Sequence, residues 1–70
     1  MAKRNTLAQR IRDRRLALKL SQQEAADLAG IHFSEWSRFE SGSRKNPQVT
    51  TLTKIAGALS CSVWALMPDA

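Results

Sequence analysis

One cysteine and one histidine are all that this 70-residue chain offers to a soft metal ion, which leaves no zinc-ligand set. Cys61 has no second cysteine with which to close an internal disulfide, and we expect it in the core rather than as a reactive thiol. Long apolar runs are missing as well. Lys3-Arg4 stands near the start in the manner of a signal peptide, but Gln9-Arg10 and Arg12 to Arg15 follow where about 7–15 apolar residues would be needed. No stretch is long enough to span a membrane, and the expectation is a cytoplasmic protein. Period-two alternation is absent over any useful length, which argues against strands. There is no repeat and no low-complexity tract. Gly-rich phosphate loops and nucleophile–base pairs are also lacking, and the six acidic residues read mostly as capping, paired or terminal. No catalysis is expected, and no cofactor.

What the chain has is positive charge. Eleven Lys and Arg against six Asp and Glu give a net charge of +5 and a pI near 10.4. That balance favours a polyanionic partner, with a solvated basic face as the plain alternative. Residues 3–19 hold Lys3, Arg4, Arg10, Arg12, Arg14, Arg15 and Lys19 against Asp13 alone, and Arg38, Arg44, Lys45 and Lys54 form a second group. Seventy residues make one domain, 1–70, which buries roughly 60% of its unfolded surface. So small a core is marginal, and a partner that adds buried area would be in keeping.

The most informative stretch is 21–42. Ser21 with Glu24 is the S-x-x-E capping box, so a helix starts at Gln22. Ala26 lies one turn before Gly30, where a small side chain lets a second helix cross closely and glycine turns the chain through positive φ. The second helix presents Trp36 and Phe39 inward at i, i+3, with Ser34, Ser37, Arg38 and Ser41 on its other face. Two short helices about a tight turn form a helix-turn-helix at about 22–41, a unit whose second helix enters the DNA major groove.

The whole chain reads as all-α, with five helices in a compact DNA-binding domain. The first, at about 7–18, opens at Thr6 with Gln9 in the box position and sets Leu7, Ile11 and Leu18 on one side. The second and third occupy about 22–29 and 33–41, the third ending at Gly42 with Ile31 and Trp36 at staple spacing around His32. Pro47 closes the loop 43–47. A fourth helix at about 49–59 carries Val49, Leu52, Ile55, Ala56 and Leu59 inward, and a fifth at about 63–67 is capped by Ser62 and stopped by Pro68.

Leu7-x-x-x-Ile11-x-x-x-Arg15, Leu20-Ser-Gln-x-Glu24-x-Ala26, Gly30-Ile31 and Ser37-Arg38-Phe39-Glu40-x-Gly42 occur in that order. Arg44, Asn46-Pro47 and Leu52-x-x-Ile55-Ala56-x-Ala58-Leu59 follow. Together they resemble the phage repressor/Cro-type (XRE) helix-turn-helix family from about residue 7 to 67. The resemblance implies that Gln22 touches the phosphate backbone and braces the recognition helix. It also implies that Arg15 and Glu40 pair across helices one and three as a structural link, and that Ser43, Arg44 and Lys45 lie where backbone contacts are made. Arg38 suits the O6/N7 edge of guanine, against the alternatives of pairing with Glu35 or binding only phosphate. Ser34 and Ser37 are candidates for bases or phosphates. Phe33 stands where the family usually has a polar reader; it suits a thymine methyl or folds back onto the turn. His32 reads as a weak cap or a phosphate neighbour. Departures from the pattern are Arg14 at a core leucine position, Lys19 and Ser60 at glycine positions, and Trp36 in place of a smaller β-branched residue, which Ala25 and Ala29 would compensate.

The expected function is sequence-specific binding of double-stranded DNA by a transcriptional regulator, a repressor on a palindromic operator. The rivals are an antitoxin-like or other protein-interaction module, against which the lack of a disordered wrapping tail counts, and a DNA binder without sequence preference. Homodimerisation, at least on DNA, is expected through Trp64 and Met67. Val63, Trp64, Leu66 and Met67 are too many apolar groups for one side of so short a helix, so Trp64 either lies flat over helix four or meets its twin.

Overall fold

The structure, a computed structural model, describes residues 6–43 and 47–66. Five helices follow in order: α1 Leu7–Ala17, α2 Gln22–Ala29, α3 Phe33–Ser41, α4 Val49–Ala58 and α5 Val63–Leu66. No strand occurs among the described residues. Arg44, Lys45 and Met67 lie outside them.

Local chemistry sets most of the boundaries. Thr6 Oγ1 accepts the Gln9 N–H at 3.1 Å, but the Gln9 amide turns forward to Asp13 Oδ1 at 2.8 Å. The expected box at α1 is therefore only half formed. At α2 both halves are made: Glu24 N–H donates to Ser21 Oγ at 3.0 Å and Ser21 N–H to Glu24 Oε1 at 2.8 Å. α2 ends as Gly30 takes φ 72°, which lets the Ile31 N–H close on the Ala26 carbonyl at 3.1 Å. Gly42 ends α3 in the same way at φ 87°, with the Ser43 N–H on the Arg38 carbonyl. Lys19 and Ser60 adopt φ 59° and 55° without glycine's freedom, at a cost of about 1 kcal/mol each.

The core gathers Ile11, the alanines of α2, Trp36, Phe39, Leu52, Ile55, Leu59 and Leu66. Ala25, Ala26 and Ala29 are all buried in the same cluster as the Trp36 ring, and α2 packs against α3. α2 packs against both α3 and α4, while α1 packs against α3 and α5. Cys61 is half-buried against this cluster, with a free thiol.

Two apolar positions depart from the expected stripes. Leu18 caps the C-terminus of α1 and is exposed, because the helix ends at Ala17 before that face reaches further core. Val49 is 75% exposed: it opens α4, a turn ahead of buried Leu52, and its side chain is left largely open to solvent. Arg14 lies at the surface, so its place in the pattern needs no buried charge. Arg10 leaves the basic run and donates from Nη1 to the Ala65 carbonyl at 3.2 Å, tying α1 to α5. Trp64 is 83% exposed, which removes the option of a ring lying flat over α4.

Candidate nucleic-acid interface

α3 has two faces with different work. Its inward face carries Trp36 and Phe39 into the core, and Glu40 beside them collects donors from three helices. Arg15 Nε of α1 donates to Glu40 Oε2 at 2.5 Å and Arg15 Nη2 to Oε1 at 3.0 Å, a two-pronged pair. Gln22 Nε2 of α2 adds a bond to Oε1 at 3.1 Å, and the Trp36 indole N–H, one turn back on α3, donates to Oε2. Arg15 and Glu40 side chains are only 11% and 4% exposed. Burial pushes the Glu40 carboxyl up, but the bonds from Arg15, Trp36 and Gln22 with the charge of Arg15 outweigh it and hold the pKa below the usual value. The remaining arm of Arg15, Nη1, donates to the Leu20 carbonyl at 2.8 Å. This arginine is thus consumed within the fold.

The outward face gathers the other candidates. At 100° per residue, Phe33, Ser37 and Ser41 form one row and Ser34 and Arg38 the next. The Arg38 side chain is 61% exposed, and its Nη1 stands 3.9 Å from Glu35 Oε1. So long and wet a contact holds it weakly and leaves the guanidinium able to swing outward. Ser34 is exposed; its N–H donates to His32 Nδ1 at 3.1 Å and its hydroxyl lies 2.8 Å from the same nitrogen. His32 therefore does cap α3, through its ring rather than a hydroxyl. Ser43 is exposed just past Gly42, but its N–H and hydroxyl close the end of α3 onto Arg38 and Ser41, so its amide is not available to an outside anion. Arg44 and Lys45, the expected neighbours of that contact, are outside the described residues.

Between α1, α2 and α3 lies a shallow depression lined by Arg12, Arg15, Gln22, Ser37, Glu40 and Ser41. It brings Gln22 and Ser37 together. By sequence Arg12 is one of the basic run, and its i, i+3 spacing to Arg15 puts both on one face of α1. The Trp36–Glu40 bond is not among the sequence expectations, although i, i+4 spacing allows it. Trp64 stands apart on α5, and Met67 is outside the described residues. Among the described residues no group of His, Cys, Asp and Glu could hold a metal ion, and no helix is long and apolar enough to cross a membrane.

A helix-turn-helix family model matches residues 11–63, from the second turn of α1 to the start of α5. The chain belongs to the XRE-type helix-turn-helix family. It is a sequence-specific DNA-binding transcription regulator. Among solved structures it is similar to the restriction-modification controller protein C.AhdI from Aeromonas hydrophila, at 34% identity and a TM-score of 0.82, covering 87% of this chain and 91% of that one. It is similar to the N-terminal DNA-binding domain of SinR from Bacillus subtilis at 30% identity and TM-score 0.85, over 94% and 96%. The P22 c2 repressor in complex with a synthetic operator matches at 29% identity and TM-score 0.81, over 89% and 92%. In this XRE-type chain α2 and α3 are the helix-turn-helix pair, with Gly30 at the turn.

Proposed function

We propose that the protein is a repressor that binds a palindromic operator as a homodimer, with α3 of each copy in the major groove, and that it acts in the cytoplasm without catalysing a reaction. The observation that carries this reading is the division of α3: an inward face clamped through Glu40, and an outward face on which Arg38, held only by its long, wet contact with Glu35, is able to reach. A guanidinium in that position donates two parallel bonds to guanine O6 and N7. Ser34 and Ser37, short and hydroxylated, let the helix approach the base edges closely and bond to them, and Phe33 meets a base at the head of the helix. Gln22 spends one amide hydrogen on Glu40; the second, with the N-terminus of α2, suits a phosphate oxygen. Arg44 and Lys45 add backbone contacts after α3, Ser43 adds one before them in the sequence, and His32 adds one at the opposite, N-terminal end of α3.

The dimer reading rests on Trp64. A large indole exposed beside buried Leu66 is a patch that a second copy, related by a two-fold axis, would cover; Met67, three residues on in the sequence, is proposed as its partner in that contact. Such a pairing separates two copies of α3 by about 34 Å, one turn of DNA. The C.AhdI, SinR and P22 c2 likenesses support a DNA-binding regulator and leave the operator to experiment.

Selection from random duplexes tests the reading. We expect an inverted repeat, with affinity that falls steeply as salt rises. Arg38→Ala should weaken the best site by about 1–3 kcal/mol and relax one base pair in each half-site. Binding that is salt-steep but yields no enriched motif would reduce the protein to a shape reader, and neither property would point to a protein partner.

A further inference from the structure

Phe33 is the first residue of α3 and is 41% exposed, whereas the other aromatic residues of that helix, Trp36 and Phe39, are at 0% and 1%. Around it the outward face consists of serine hydroxyls and the Arg38 guanidinium. It is the one apolar group of that face. Its place is set firmly, because Gly30 at φ 72° turns the chain and His32 caps the helix on the Ser34 N–H. A ring so placed on a surface that meets DNA displaces water from base edges and returns no hydrogen bond. Against most base-edge atoms that is a loss. The major groove presents one apolar group, the methyl at C5 of thymine. A methylated cytosine carries the same methyl at the same ring position.

We infer that Phe33 is a specificity-determining residue that reads the C5-methyl group of a pyrimidine, thymine or 5-methylcytosine, next to the base pair contacted by Arg38. This rests on the reading of α3 as the helix in the major groove. It goes further in naming the chemical group recognised, and in making operator affinity responsive to cytosine methylation at that step. The ring is indifferent to whether O4 or an amine stands beside the methyl, since it can bond to neither.

The test uses the full chain and the best duplex from the random selection. Each thymine of a half-site is replaced in turn by deoxyuridine, which pairs identically and lacks the methyl. At the same positions, C·G is compared with 5-methyl-C·G. We expect one or two positions per half-site where uracil weakens binding about three- to tenfold, the scale of one buried methyl against a ring, and where 5-methylcytosine exceeds cytosine by a similar factor. Phe33→Ala should erase both differences, while Phe33→Leu, which keeps an apolar group, should retain part of them. If wild type and Phe33→Ala respond alike at every position, the inference is overturned although DNA reading stands. A selection that returns no motif overturns the major-groove reading as well, and is recognisably a different result.

Discussion

At the junction of α1, α2 and α3 a single buried carboxylate accepts bonds from Arg15, Gln22 and Trp36. At the other end of the molecule, the four residues of α5 lie against α4 and α1 through buried Leu66 and half-buried Val63, with a bond from Arg10 to the Ala65 carbonyl, while Trp64 stands in solvent. The first region is over-determined: each helix is fixed to the other two through the same group, so the roll of α3 about its axis is set. The second is under-determined, because a four-residue helix is not stable alone and depends on what lies against it. The reading role proposed for α3 needs the former arrangement, since an error of a few degrees would move Arg38 off a base edge. The pairing proposed for α5 needs only the latter.

The largest expected effect is at the junction. Arg15→Ala leaves Glu40 with its charge buried and its two-pronged partner gone, a loss of about 3–5 kcal/mol measured by denaturant unfolding. In so small a domain this is a large share of the total stability. A loss under about 1 kcal/mol would mean that water replaces the arginine, and the contrast between the two ends would collapse.

Glu40 also gives the junction a pH dependence whose sign follows from its lowered pKa. The unfolded carboxyl, with a pKa near 4.5, takes up its proton before the folded one does. Its contribution is therefore fully present above about pH 4.5 and is lost as pH falls through the lower folded value. Acid unfolding followed by circular dichroism should set in over that window, and Glu40→Gln should flatten it. The substitution keeps an acceptor for the Trp36 indole while removing the charge, so a flattened curve isolates the ionisation from the packing.

Much of this fold is legible in local rules, and the illegible part has a physical pattern. Ser21 with Glu24, Gly30 and Gly42 act within a few residues of themselves, so α2 and α3 begin and end where caps and left-handed glycines place them. Leu18 and Val49 fit the apolar periodicity and are exposed, because periodicity describes one helix and says nothing about where its neighbour stops. Arg15 and Glu40 are 25 residues apart, a separation that no helical or turn rule connects; only the likeness to a family linked them. Arg10 looks like every other arginine of α1 until α5 is folded beneath it. For the reading face, residue types on α3 named the candidates, while the commitment of the Ser43 amide to the end of the helix needed coordinates.

A smaller effect lies in the two left-handed positions, which probe both ends by one kind of change. Lys19 joins α1 to α2 on the junction side, and Ser60 leads from α4 toward α5. Lys19→Gly and Ser60→Gly each relieve a side chain at positive φ and lose some of that gain to the larger freedom of glycine in the unfolded chain. A net stabilisation of up to about 0.5 kcal/mol is expected from each. Thermal melts of the two variants decide it, and destabilisation at either would show that its side chain makes a contact worth more than the strain.

The smallest effect on the monomer is expected at the most exposed large apolar side chain among the described residues. Trp64 is 83% exposed, so Trp64→Glu removes little buried area and should leave unfolding of the isolated chain within about 0.5 kcal/mol of wild type. What it should change is association. An indole that closes over its twin loses a matched apolar contact and gains two like charges facing each other across the two-fold axis. Sedimentation with and without a full palindrome reads this directly: wild type should load as two copies cooperatively, and the variant should bind half-sites independently, with the intrinsic affinity of one α3 unchanged. Cooperative loading of two variant copies would move the interface away from α5 and leave the exposure of Trp64 without a partner of its own kind. A shift in monomer stability well above 0.5 kcal/mol would instead mean that the indole braces α5 from outside, making this end as closely held as the Glu40 junction.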